Sequence, residues 1–262
     1  MIKVKDLSIK LDKTDKLQLD SINLELQNEN TVIIGPNGSG KTVLIKTLLG
    51  LIKPYSGSIK YNNKDLSKIN NYTGISTNLP DIYKILSLNV NDTLKLYSEM
   101  LNGSYSNVIK LIQEFGLENI LDKKMYNIST GQLKMVCNIL SISFGPEVIL
   151  LDEPFDNVDN FKRVQLYKKL KEIKATILLN THEIDIVTKL TNFNLYIMLD
   201  GKLYGKYKAE DINELYINRG VKDNSLTIIE TPLGEVSITK GSGDVKISNL
   251  RTLDNIFNEV IA

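Results

Sequence analysis

Thr31-Val32-Ile33-Ile34-Gly35-Pro36-Asn37-Gly38-Ser39-Gly40-Lys41-Thr42 is the stretch from which the fold can be read. Its first four residues are a β-branched apolar run, the composition of a parallel strand buried on both faces. The run breaks at Gly35, and residues 43–51 resume as a helix rich in Leu, Ile and Lys. Between strand and helix, residues 35–42 fit G-x-x-x-x-G-K-[ST]. In that pattern the glycines let backbone N–H groups converge on phosphate oxygens. The Lys41 ammonium bridges the outer phosphates, and the Thr42 hydroxyl is available to Mg²⁺. A helix starting there adds its positive dipole end. Gly35, Pro36, Asn37, Gly38, Ser39, Gly40, Lys41 and Thr42 are therefore candidate phosphate-binding residues. A Gly-rich turn can also join strand and helix without a ligand. The buried strand before it and the helix after it favour the phosphate reading.

Working outward, Ile2, Val4, Leu7 and Ile9 are apolar amid polar neighbours, and Ile22, Leu24 and Leu26 alternate strictly, so the N-terminal part reads as strands. Pro54-Tyr55-Ser56-Gly57 ends the first helix, and residues 58–61 return to strand before an Asn62-Asn63 turn. From about residue 80 to 145 the pattern is helical. Asn89 with Asp92 predicts a capped start, and Val90, Leu94, Tyr97 and Leu101 share a face. Val108, Ile109, Leu111, Ile112 and Phe115 form a second amphipathic helix stopped by Gly116. A third runs from Ser129 to Phe144, stopped by Gly145-Pro146. Strands at 148–151 and 176–179 then flank a helix at 161–174. Past Leu195 the texture is β-hairpin, with turns at Gly201 and Pro232-Leu233-Gly234, and a short helix is expected over 252–261. The layout predicts an α/β core with a helical insertion and a small C-terminal extension.

Val148-Ile149-Leu150-Leu151-Asp152-Glu153 is an apolar strand ending in two carboxylates. Asp152 at the tip can hold Mg²⁺ through water, and Glu153 can polarise an attacking water. The chain has 262 residues, with 32 Lys+Arg against 31 Asp+Glu, so net charge favours neither nucleic acid nor an anionic membrane as a general partner. Its single cysteine, Cys137, excludes an internal disulfide, and its single histidine, His182, must carry any imidazole chemistry. Cys137 lies in an apolar helical run and reads as core. Lys168, Lys169, Lys171 and Lys174 read as a solvated helix face. No stretch is long and apolar enough to span a membrane, and the N-terminus has no secretory pattern, so a cytoplasmic location is expected.

The ordered series adds specificity. Ile128-Ser129-Thr130-Gly131-Gln132 precedes Leu150-Leu151-Asp152-Glu153-Pro154-Phe155-Asp156-Asn157-Val158-Asp159, and Thr181-His182 follows. This series resembles the ATP-binding subunits of ABC transporters, over roughly residues 2–205. The resemblance implies a P-loop NTPase core with a parallel sheet. An N-terminal antiparallel β subdomain, an inserted helical subdomain (about 80–145) and a small C-terminal α+β extension (206–262) would accompany it. It implies ATP and Mg²⁺ as ligands, with Thr42, Asp152 and Asn78 toward the metal, and Glu153 and His182 as catalytic residues. Ser129 and Gly131 would contact the γ-phosphate of ATP on an opposing subunit, Ser129 also starting a helix, and Asp159 would link the two sites. The implied partners are a transmembrane permease and a second ATPase subunit, identical or not, with no nucleic acid. The chain would then lie on the inner face of the membrane through its permease.

Three positions depart from the family pattern. The base-stacking aromatic falls at Leu11, with Tyr55 as a substitute to be considered. The family's Q-loop glutamine falls at Asn78, one methylene shorter. Thr130 replaces the first signature glycine, narrowing backbone freedom. The ending Thr252-Leu253-Asp254-Asn255-Ile256-Phe257-Asn258-Glu259-Val260 is similar to bacterial export subunits for antibiotics and antimicrobial peptides. It directs the reading toward export of a peptide, drug or lipid-like molecule. A soluble ATPase of the same type, as in cluster assembly, and a weakly catalytic scaffold in an asymmetric dimer stay open as alternatives.

Overall fold

The structure, a computed structural model, describes residues 1–10, 17–69, 73–84, 87–231 and 234–255. It divides into two compact units, one comprising Met1–Ile69 and the chain from Asn180 onward, the other Asn70–Leu179.

In the first unit the N-terminal alternation forms β1 (Ile2–Ile9) and β2 (Leu19–Leu26), paired antiparallel with Ile2 opposite Leu26 and Val4 opposite Leu24. The apolar run forms β3 (Thr31–Ile34), buried along its whole length as a two-sided apolar strand must be. Helix α1 (Lys41–Leu48) follows and buries Leu44, Ile45 and Leu48. Then β4 (Ser56–Tyr61) and β5 (Lys64–Asp65) complete a four-stranded sheet in the order β2-β1-β4-β5. The Asn62-Asn63 turn joins them with φ of 47° and 65°, which asparagine tolerates better than most residues.

The second unit opens with β6 (Ile75–Thr77) and the short helix α2 (Pro80–Tyr83). The expected helices follow as α3 (Val90–Met100), α4 (Tyr105–Glu114) and α5 (Thr130–Ser143). Asn89 caps α3 by accepting from Asp92 N at 2.6 Å, as the Asn89/Asp92 pair predicts. Gly116, with φ 62°, follows the α4 C-cap, and Gly145, with the same φ, follows that of α5. Val90 and Leu94 of α3, Val108 and Ile112 of α4, and Val136 and Leu140 of α5 are buried. Strand β7 (Val148–Asp152) pairs parallel with β6, Thr77 opposite Leu150. Helix α6 (Asn160–Glu172) buries only Leu166 and Leu170. Its lysines form the solvated face anticipated: Lys169 pairs with Glu114 at 2.7 Å, and Lys171 lies 4.4 Å from the Tyr167 ring centre. Strand β8 (Thr176–Thr181) carries the chain back to the first unit.

There, α7 (Ile184–Val187) leads to β9 (Asn194–Leu199), which runs parallel to β3 with Ile34 opposite Ile197. Antiparallel β10 (Lys202–Lys208) turns back through Asp200 and Gly201, both at positive φ, the geometry that matches strand twist in a two-residue hairpin. The last part is a second four-stranded sheet. It comprises β11 (Leu215–Arg219), β12 (Thr227–Thr231), β13 (Gly234–Lys240) and β14 (Val245–Lys246), in the order β12-β13-β11-β14. The helix expected over 252–261 is seen only as a 3₁₀ turn at Leu253–Asn255. Residues 256–261 lie outside the described residues, as do Pro232, Leu233 and Leu11. Among the described residues no helix is long and apolar enough to cross a membrane.

Candidate functional site

The first unit holds the phosphate-loop pattern. Lys41 is buried, and its ammonium donates to Gly35 O at 2.7 Å and Pro36 O at 2.9 Å, so the cation sits inside the loop its own helix closes. Ser39 is buried too, and its hydroxyl has no hydrogen-bond partner. A buried hydroxyl without a partner is costly unless a ligand completes it. Gly40 is the N-cap of α1 at φ 106°, and a Cβ there would lie 2.7 Å from a Leu19 methyl. Only glycine takes that conformation freely. Helix α1 has no side-chain cap and no acidic residue in its first turn, so none of its own carboxylates offsets its positive end. Loop and β8 are tied where Gly35 N donates to Thr181 O, the residue before half-buried His182. Tyr55 is exposed, with Lys10 Nζ 4.6 Å from its ring centre.

The second unit holds the carboxylates and the signature residues. Strand β7 ends at Asp152, and Glu153 follows with φ 45°, a left-handed backbone that a Glu adopts at a cost. Both are half-buried. Ser129 caps α5 in a full capping box, accepting from Gln132 N at 3.2 Å while Gln132 Oε1 accepts from Ser129 N at 3.0 Å. Ser129 and Thr130 are exposed. A Cβ on Gly131 would lie 2.2 Å from Asn157 O. The start of α5 thus approaches the loop after β7 so closely that position 131 must be glycine. Asp159 caps α6, accepting from Lys162 N at 3.0 Å and Lys162 Nζ at 2.8 Å. The Lys162 side chain, and then its backbone N–H, hold the Asp159 carboxyl below the usual aspartate range.

Asn78, which the resemblance places toward the metal, lies against the end of β7. It is fully buried, its Nδ2 donating to Asn138 Oδ1 at 2.7 Å and Asp152 O at 3.2 Å, and its Oδ1 accepting from Asp152 N at 2.7 Å. Both Asn78 amide hydrogens are engaged, and its Oδ1 takes one backbone N–H. Sequence reading missed Asn138, whose Nδ2 donates to Pro154 O at 2.8 Å, and Lys134, whose Nζ donates to Asp152 O at 2.9 Å. The signal was present, since Asn138 interrupts an otherwise apolar run in α5. Among the described residues no group of three or more His, Cys, Asp or Glu could hold a metal ion alone.

Comparison with known proteins bears on this assembly of parts. The family model described as "ABC transporter" matches residues 19–156. A zinc import ATP-binding protein of Rickettsia conorii is 31% identical over 197 residues, 72% of this chain and 79% of that one. A lantibiotic transport ATP-binding protein of Streptococcus pyogenes is 29% identical over 231 residues, 84% of this chain and 97% of that one. A solved chain described as a cobalt transport ATP-binding protein superposes with TM-score 0.90 at 34% identity, covering 99% of this chain and all of that one. With a family model spanning more than half of its length, this chain belongs to the ABC transporter family, as an ATP-binding and ATP-hydrolysing subunit.

Proposed function

We propose that the chain binds MgATP and that its hydrolysis drives a separate transmembrane permease exporting a peptide, drug or lipid-like molecule. The observation that carries the ATP-driven part is the buried Lys41 ammonium inside a loop whose Ser39 hydroxyl awaits a partner. In this reading residues 35–42 hold the phosphates, and Lys41 exchanges its loop carbonyls for phosphate oxygens. Thr42 and Asp152 hold Mg²⁺, which when bound neutralises phosphate charge. Glu153 orients and polarises water, and His182 contacts the γ-phosphate. Ser129 and Gly131 serve the nucleotide of a second ATPase subunit, and Asp159 lies at that subunit boundary. Residues 1–205 form the ATPase domain and 206–262 an appended one, with the whole held at the cytoplasmic face of the membrane by the permease.

Export is supported by the C-terminal ending and by the lantibiotic transport relative, which aligns over 84% of this chain. Uptake of a metal cation is the second reading, supported by the cobalt transport cassette, which superposes over 99% of this chain and so takes in the final sheet. Two experiments test the proposal. Glu153→Gln should abolish ATP turnover while ATP binding persists, and unchanged turnover would remove Glu153 from its role. Mild-detergent purification of the tagged chain at native expression should bring down a polytopic membrane protein in stoichiometric amount. The family of that partner separates export from uptake, and recovery of soluble partners alone would sink the transport reading.

A further inference from the structure

The peptide groups on either side of Glu153 are held by side chains from distant parts of the second unit. Before it, Asp152 N donates to Asn78 Oδ1 at 2.7 Å, and Asp152 O accepts from Asn78 Nδ2 at 3.2 Å and Lys134 Nζ at 2.9 Å. After it, Pro154 O accepts from Asn138 Nδ2 at 2.8 Å. The two amides are joined, Asn78 Nδ2 donating to Asn138 Oδ1 at 2.7 Å, and the second Asn138 N–H faces Met135 Sδ at 3.9 Å. Both asparagines are fully buried. Every donor of the pair has a partner, so the network is of the fully satisfied kind that fixes one arrangement. Between its anchor points Glu153 has φ 45°, a conformation that persists only where its surroundings over-determine it.

We propose that Asn78 and Asn138 are positioning residues that clamp residues 152–154 and hold the Glu153 backbone left-handed, so that its carboxylate is placed before nucleotide arrives. The inference rests on the reading of Glu153 as the group that handles water. Neither amide touches substrate. Both act through the backbone they hold, and a carboxylate misplaced by about 1 Å can cost about 100-fold in rate.

The test is the pair Asn78→Leu/Asn138→Leu in the full-length chain, measured beside Asn78→Leu alone and Glu153→Gln. The single variant orphans Asn138 Oδ1, and the pair removes that amide but leaves Asp152 N and Pro154 O without their side-chain partners, so both should melt below the parent. The pair should fold yet keep kcat about 10- to 100-fold below the parent, with the KM for ATP within about two-fold. A parental kcat in the folded pair would overturn the proposal, since that is what a purely structural amide pair gives. Should the pair not fold, Asn138→Ser decides, its hydroxyl a shorter donor toward Pro154 O. A lowered kcat at unchanged KM supports the clamp, and a parental kcat overturns it. Full turnover in Glu153→Gln would instead remove the premise, an outcome separable from failure of the clamp.

Discussion

At Cys137 the environment decides the chemistry. The side chain is fully buried in α5, and burial pushes its thiol up to about 12. The thiolate is the nucleophile, so at neutral pH the folded chain offers almost none. Iodoacetamide at pH 8 should leave the native protein unmodified for hours and label it at one site after denaturation in urea. Rapid native labelling would mean that α5 opens locally. The sequence made this legible, because Cys137 sits in an apolar run with helical spacing and needs only that pattern to be read as core. Glu153 shows the opposite case. Two acids at the end of an apolar strand announce chemistry, but nothing local announces φ 45°. That angle is held by amides 75 positions before it and 15 positions before it in the chain, at Asn78 and Asn138. The partner of Asn78 is equally hidden from local reading: its motif position is local information, while Asn138 lies 60 positions on, in α5.

Among the elements, α5 is defined at its start by the Ser129–Gln132 capping box. Losing a Ser cap costs about 1 kcal/mol, equivalent to a fall of about 2–4 °C in melting temperature for a chain of this size. Ser129→Ala should show that fall, and Ser129→Asp should restore the melting temperature because aspartate caps as well as serine does. If Ser129 also serves a nucleotide phosphate, Ser129→Asp should remain poor in ATPase activity, since it sets a carboxylate against an anion. Full activity in a stable Ser129→Asp would leave Ser129 a cap alone. Helices α3, α4 and α5 were readable because apolar spacing agrees with a boundary signal in each: the Asn89 cap of α3, Gly116 after α4, and Ser129 and Gly145 at the two ends of α5. The pieces that were not readable are short: α7 has four residues, β6 three and β14 two. They are too brief for periodicity and are made by tertiary pairing, as where β6 aligns with β7.

On the scale of the whole chain, the described C-terminus returns to the phosphate loop. Asp254 Oδ1 accepts from Asn37 N at 2.9 Å across 217 positions, Ile184 N donates to Arg251 O at 3.3 Å, and Thr252 bridges to Glu183 beside His182. Leu253 and Leu250 are buried, which anchors the segment that makes these contacts. None of this follows from local sequence, because a carboxylate near the end of a chain carries no mark of the amide it will meet. Its consequence is electrostatic. In the proposed role, in which the 35–42 loop collects phosphate oxygens on backbone N–H groups, one of those groups is already on a carboxylate, and an incoming anion must compete with a like charge. Asp254→Asn keeps the shape and an acceptor oxygen but removes the charge. It should lower the apparent KM for ATP about two- to ten-fold, the range expected for losing one charge-assisted contact of modest net worth, with kcat little changed. Raising salt should shrink the difference between the two proteins, because the competing charge is solvent-exposed and screened. A KM that stays at the parental value at low salt would mean that the contact yields to nucleotide without cost, and that the C-terminal segment serves only to hold the 183–184 turn in place.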